Sequence, residues 1–136
     1  LKDLFQGKRD IRGIANDTWL GFQQQDADAL FEFKQAKAVK GITVSYLRKQ
    51  DSNIFPPMEI EVWAGNSTKA LKKIASVKPE QPEENGGYSP QAINIPLPAA
   101  SFTHYRMLAK RIKRFPAYVK DKTNPAIIKL DEVLFY

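Results

Sequence analysis

Apolar and polar residues alternate with a period of two along much of this chain, which puts successive side chains on opposite faces of a strand. Ala29, Phe31 and Phe33 stand against Leu30 and Glu32, predicting a strand over 29–33. Ile42, Val44 and Tyr46 alternate with Thr43 and Ser45, and their β-branched members suit a pleated, half-buried surface. Met58, Ile60 and Val62 repeat the pattern up to Trp63. Ile93, Ile95 and Leu97 do so again, as do Tyr105, Met107 and Ala109 against Arg106, Leu108 and Lys110. Leu71, Ile74 and Val77 predict a shorter or bulged strand, although LKKIASV also passes for a helical period. Ile127 to Tyr136 is apolar nearly throughout, which predicts a strand covered on both faces or one that closes the structure.

The segments between these runs read as turns and loops. Leu1 to Asn16 shows no sustained period, mixes Gly7 and Gly13 with charges, and reads as loop. Trp19, Leu20, Gly21 and Phe22 bring bulky groups just before the polar QQQDAD, and KQAKAVKG reads as a turn between strands or a short helical turn, stopped at Gly41. Lys78 to Pro90, KPEQPEENGGYSP, has no aliphatic residue and predicts a long surface loop too polar to pack. Phe115 to Pro125 is a second irregular segment. The stretch from Tyr46 to Trp63 leaves a strand, breaks into a polar loop at Arg48 to Asn53, is pinned by Phe55, Pro56 and Pro57, and resumes as a strand. About seven to eight short strands at intervals of roughly 8–15 residues, without βαβ spacing, predict an all-β fold: an antiparallel sandwich or jelly roll.

Composition narrows the picture. At 136 residues and 43% hydrophobic, residues 1–136 fit one globular domain with one core. No apolar run is long enough to span a bilayer, and LKDLFQGKRD lacks the apolar block of a signal peptide. Because the chain opens within what reads as a structured motif, a piece of a longer protein is expected. The absence of cysteine excludes disulfides, thiolate metal sites and cysteine nucleophiles, and leaves the compartment open. A net charge of +6 raises the question of an anionic partner. Lys110, Arg111, Lys113 and Arg114 form the densest cluster, to be read as a polyanion site or simply as solvated surface.

Catalysis is not expected. His104 is the only histidine and stands at a strand edge beside Tyr105, in a structural or exposed position. Asp26 with Asp28, and Glu83 with Glu84, lie in polar turns where carboxylates stay ionised. No phosphate-cradling glycine loop or nucleophile elbow occurs. Binding is better supported, because a rigid scaffold presents recognition groups on exposed loops. Sugars offer an apolar C–H face and a ring of hydroxyls, so their sites need an aromatic surface and planar donors or acceptors. Arg48, Asn53 and Phe55 supply both within one loop, and Tyr118 and Tyr88 are candidates to complete the platform. The plainer alternatives are core packing for Phe55 and Trp19 and an ion pair with Asp51 for Arg48; for Tyr88 and Tyr118 both readings stand.

The order LKDLFQG, TWLGF, IFPPMEIEVW, HYRMLAK, KLDEVLFY resembles the discoidin-type (coagulation factor C-type, galactose-binding-like) sandwich, in the version found C-terminal to bacterial glycoside hydrolases such as β-hexosaminidases. The resemblance covers essentially the whole chain, and it is the order of the motifs that carries it. It implies a non-catalytic accessory module that binds carbohydrate at loops on one end, with a glycan and the catalytic domain of a parent chain as partners, in an extracellular, periplasmic or cell-surface setting. No specific nucleic acid is implied. It also implies a structural calcium near the first loop, for which Asp3 and Glu132 are the candidate ligands, calcium requiring hard oxygen donors; the alternatives are a turn cap for Asp3 and a Lys or Arg partner for Glu132. Two departures matter. Leu4 replaces the usual glycine after the aspartate, at a turn that favours positive φ, and Tyr118-Val119 stands where related domains carry a Trp-His pair. A structural or protein-docking domain and a polyanion binder using Lys110 to Arg114 remain the other readings.

Overall fold

The computed structural model describes residues 8–11, 14–16, 19–23, 26–83, 89–120 and 126–136. In chain order the strands are β1 (Lys8–Ile11), β2 (Ile14–Asn16), β3 (Trp19–Gln23), β4 (Ala27–Ala38), β5 (Gly41–Arg48), β6 (Glu59–Gly65), β7 (Lys72–Val77), β8 (Ser89–Pro96), β9 (Ser101–Lys110) and β10 (Ile127–Phe135), and Gln50–Ser52 form a 3₁₀ turn. They form two five-stranded sheets, ordered β1-β4-β9-β6-β7 and β2-β3-β10-β5-β8. Every strand pairing is antiparallel. The expected all-β sandwich is therefore the observed architecture.

The alternation seen in the sequence is what builds the core. Ala29, Phe31 and Phe33 of β4, Ile42, Val44 and Tyr46 of β5, Ile60 and Val62 of β6, and Tyr105, Met107 and Ala109 of β9 are all buried in one cluster. Phe135, near the end of the chain, joins the two sheets. Its ring meets Phe31, Phe33 and Tyr105 edge-on, with centroids 4.9, 5.7 and 5.6 Å away, the geometry that aromatic quadrupoles favour. The Tyr105 hydroxyl donates to the Lys37 carbonyl at 2.8 Å, so its polar end is satisfied inside the core. Leu47, Ile54, Phe55, Val119 and Ala126 are buried outside that cluster, among the loops at one end.

Several elements differ from the sequence-based expectation. Residues 8–11 and 14–16 are strands, not loop, held by ladder bonds to β4 and β3; backbone pairing at a sheet border does not require an apolar period. KQAKAVKG is not a helical turn, and the expected turn between strands narrows to residues 39–40, because β4 continues to Ala38; a bulge between Glu32 and Lys37 interrupts its register with β9. LKKIASV is strand β7. The nearly continuous apolar run of β10 also has a cause. Its register shifts between Leu130 and Glu132, so buried Ile128 and Leu130 are followed by buried Val133, with the parity reversed. Leu134 is exposed, so β10 is not covered on both faces throughout but is a central strand with a kink.

The register also orients the molecule. Gln23 faces Ile127, Ala27 faces Ala109, Arg48 faces Ser89, Glu59 faces Lys110 and Ile60 faces Val77. Strands β3, β5, β7 and β9 thus end, and β4, β6, β8 and β10 begin, at the same pole. The β5–β6, β7–β8 and β9–β10 connections all leave from it.

Candidate functional site

Residues 42, 44 and 46 of β5 point into the core, and Arg48 continues that row past the end of the packed interior. Across the ladder, Tyr46 faces Gln91 and Val44 faces Ile93 of the border strand β8. Tyr46, Arg48, Gln91 and Ile93 form one wall of an open hollow of ≈ 780 Å³, whose other wall is Glu80, Gln81, Pro82 and Glu83. That volume falls in the range of small-ligand sites.

The second wall is held from three sides. Gln50 Nε2 donates to the Glu83 carbonyl at 2.6 Å, Gln81 Nε2 donates to the Pro57 carbonyl at 3.0 Å, and the Tyr118 hydroxyl donates to the Pro82 carbonyl at 2.9 Å. Pro79 and Pro82 are buried. The expectation that Lys78 to Pro90 is too polar to pack is therefore corrected over 78–83, where two proline rings and three amide or phenol contacts replace the missing aliphatics. Ser89 and Pro90 already belong to β8.

The hollow is chemically mixed. Burial pushes the Tyr46 phenol above its ordinary range; the Arg48 charge opposes this and the Glu80 charge adds to it. Tyr46 therefore stays a neutral phenol at physiological pH, with Arg48 and Glu80 close enough for their charges to reach it. A guanidinium, carboxylates, side-chain amides and a phenol together offer donors and acceptors in several directions, the complement of a set of hydroxyls.

The sequence-selected residues fare differently. Arg48 lines the hollow, and Tyr118 is half-buried and bonded to Pro82 on its wall, so the structure brings these two to one place. Asn53 is 8% exposed and sits at φ 58°; its N–H donates to the Gln50 carbonyl and its own carbonyl accepts from Ile127 N–H. Its backbone shapes the loop. Phe55 is 1% exposed and packs on Phe115 at 5.8 Å, so its ring offers no face to a ligand and serves the loop core. Tyr88 and Asp3 lie outside the described residues. Glu132 faces Ser45 just past the β10 bulge, but its side chain, like those of Trp19 and Asp51, is outside what is described. Among the described residues no three carboxylates or histidines converge.

Sequence reasoning passed over Tyr46, Glu80, Gln81 and Gln91. Tyr46 was visible only as the last member of an apolar alternation; the sign to look for was an inward-facing phenol followed two residues later by an inward-facing arginine. Outside the hollow, His104 is half-buried on the outer sheet face, its Nδ1 2.7 Å from Thr103 Oγ1 and its Nε2 3.9 Å from Glu32. Among the described residues no helix is long and apolar enough to cross a membrane.

No family model and no curated protein matches the chain. Solved structures do. A CBM32 module of Clostridium perfringens, in complex with GalNAc-β-1,3-galactose, superposes with TM-score 0.61 at 10% identity over 96% of this chain and 95% of its own. A chitosan-binding module from a chitosanase/glucanase of Paenibacillus sp. IK-5 gives TM-score 0.61 at 9% identity over 98% and 96%. Two CBM32 domains of Clostridium perfringens ZmpB in complex with GalNAc give 0.56 at 18% identity, over 96% of this chain but 32% of that one. At these identities the likeness is one of fold: this protein has the two-sheet antiparallel β-sandwich fold of the CBM32 modules.

Proposed function

We propose that this domain is a non-catalytic carbohydrate-binding module that takes a sugar in the hollow between Arg48, Tyr46 and the 78–83 segment, with Tyr118 at its margin. The observation that carries this reading is the hollow itself: an open cavity with converging donors and acceptors, at the pole where the β5–β6, β7–β8 and β9–β10 loops gather. Solved modules of the same fold in complex with GalNAc and with GalNAc-β-1,3-galactose support it. A domain that served only to dock its neighbours would fill this space with its own side chains.

The setting follows from the same reading. The module belongs to a longer, exported bacterial protein whose catalytic domain it tethers to glycan. Titration with a panel of mono- and oligosaccharides, followed by calorimetry or by affinity electrophoresis, tests it. Arg48→Ala is expected to weaken binding at least tenfold, since loss of a charge-assisted contact is worth about 1.5–3 kcal/mol. Silence across the panel removes the sugar and leaves only the fold.

A structural calcium held through Asp3 and Glu132 belongs to the same proposal. A cation that binds only the folded state stabilises it by mass action. Millimolar calcium should then raise the melting temperature and EDTA reverse the gain, with Glu132→Gln abolishing the difference. A transition indifferent to both additions removes the metal.

A further inference from the structure

Three cations on the outer face of the first sheet are partnered. Lys73 lies 3.2 Å from Glu61, Lys110 lies 3.3 Å from Glu61 and 3.4 Å from Glu59, and Arg106 holds Asp28 with two hydrogen bonds of 2.8 and 2.7 Å. Lys110 thus leaves the basic cluster seen in the sequence, because the sheet draws its ammonium onto two carboxylates. The β9–β10 loop is built differently. Lys113, Arg114 and Lys120 are exposed, and none pairs with a carboxylate among the described residues.

These three cations stand on an anchored loop. Arg111 N–H donates to Asp26 Oδ1 at 2.9 Å, Phe115 packs on Phe55, Val119 is buried with its N–H on the Pro116 carbonyl at 3.1 Å, and Tyr118 is bonded to Pro82. With Phe115 and Val119 turned inward, their neighbours Arg114 and Lys120 are turned out. Pro82 lines the Arg48 hollow, so the Tyr118–Pro82 hydrogen bond joins the basic loop to the proposed sugar site.

We propose that the binding surface runs from the Arg48 hollow across Tyr118 onto Lys113, Arg114 and Lys120, and that its ligand is an acidic glycan. One sugar sits in the hollow and a neighbouring one carries the carboxylate or sulfate that the loop reads. This rests on the carbohydrate-binding reading and names the class of glycan. The charge layout separates such a ligand from other polyanions. Glu80 and Glu83 stand beside Arg48 in the hollow, where they repel the closely spaced phosphates of a nucleic acid, about one charge per 1.7 Å of duplex. An oligosaccharide with anionic groups on some residues and hydroxyls on the others meets acidic and basic ground in turn.

Affinity electrophoresis of the whole chain through gels holding hyaluronan, partly esterified pectin or duplex DNA, at low salt and at about 0.2 M salt, tests the inference alongside the neutral-sugar titration. The expected result is retardation by hyaluronan or pectin, whose anionic residues alternate with neutral ones, that exceeds retardation by DNA. A triple variant carrying Lys113→Ser, Arg114→Ser and Lys120→Ser should weaken that retention about tenfold or more at low salt, the scale of several screened cations acting on one polyanion. Its melting temperature and its binding of neutral sugar should not change. Retention by neither acidic polymer, retention unaffected in the triple variant, or DNA held as tightly as the glycans each overturns the inference. Failure of the underlying reading looks different: wild-type protein then binds no neutral sugar, and Arg48→Ala alters nothing.

Discussion

Asn53 shows how a residue chosen for its side chain earns its place through its backbone. At φ 58° it occupies the left-handed region, where a Cβ costs roughly 1–2 kcal/mol and asparagine is among the few side chains that adapt. That conformation closes the Gln50–Ser52 turn and presents the Asn53 carbonyl to Ile127 N–H at 2.8 Å, tying the β5–β6 loop to the start of β10. Asn53→Gly should therefore lose less stability than Asn53→Ala in urea denaturation, by about 1 kcal/mol. Equal losses in the two variants would mean that the amide itself is needed. Residue chemistry was legible in the sequence here and residue exposure was not. Phe55 and Arg48 were both candidate contacts on one loop, with core packing the plainer reading of Phe55; the structure bears that reading out, with Phe55 on Phe115 far along the chain, while Arg48 stays at the mouth of the hollow.

At the scale of the elements, the outer face of β6, β7 and β9 carries a buried carboxylate. The Glu61 side chain is 6% exposed, with Lys73 and Lys110 at 3.2 and 3.3 Å and Trp63 Nε1 at 3.4 Å. Burial pushes its pKa up, but the hydrogen bonds from Lys73, Trp63 and Lys110, with the Lys110 charge, outweigh this and hold it below the usual glutamate range. A carboxyl whose folded pKa is depressed contributes stability above its unfolded pKa and loses it as pH falls through the folded one. The melting temperature of the wild type should accordingly drop on acidification below the ordinary glutamate range more steeply than that of Glu61→Gln, which starts lower at neutral pH. Parallel curves would remove Glu61 from the acid response. The strands bearing this network were readable because their inner residues alternate. The network was not, since Glu61 and Lys73 sit on strands whose register includes a bulge between Val62 and Trp63, and a one-residue shift changes every cross-strand partner.

For the molecule as a whole, the arrangement that matters is the meeting of three loops at one pole. Connections that are far apart in sequence converge there because antiparallel strands return alternately to the same two ends. The hollow follows from that convergence, and so does the difference between Arg48→Ala, expected to empty it, and the basic-loop variant, expected to leave it working. The period-two pattern by itself determined the all-β class, most strand positions and the buried set, since which face of a strand avoids water is a local property of side-chain order. It missed β1, β2 and β3, whose pairing is made by backbone and whose residues show no sustained apolar alternation. Only the tertiary structure decided which polar residues became a wall, which aromatic went into the loop core and which cations kept their charge for a partner. Those outcomes depend on contacts between segments such as 46–48, 78–83 and 111–120, and no local pattern encodes the distance between them.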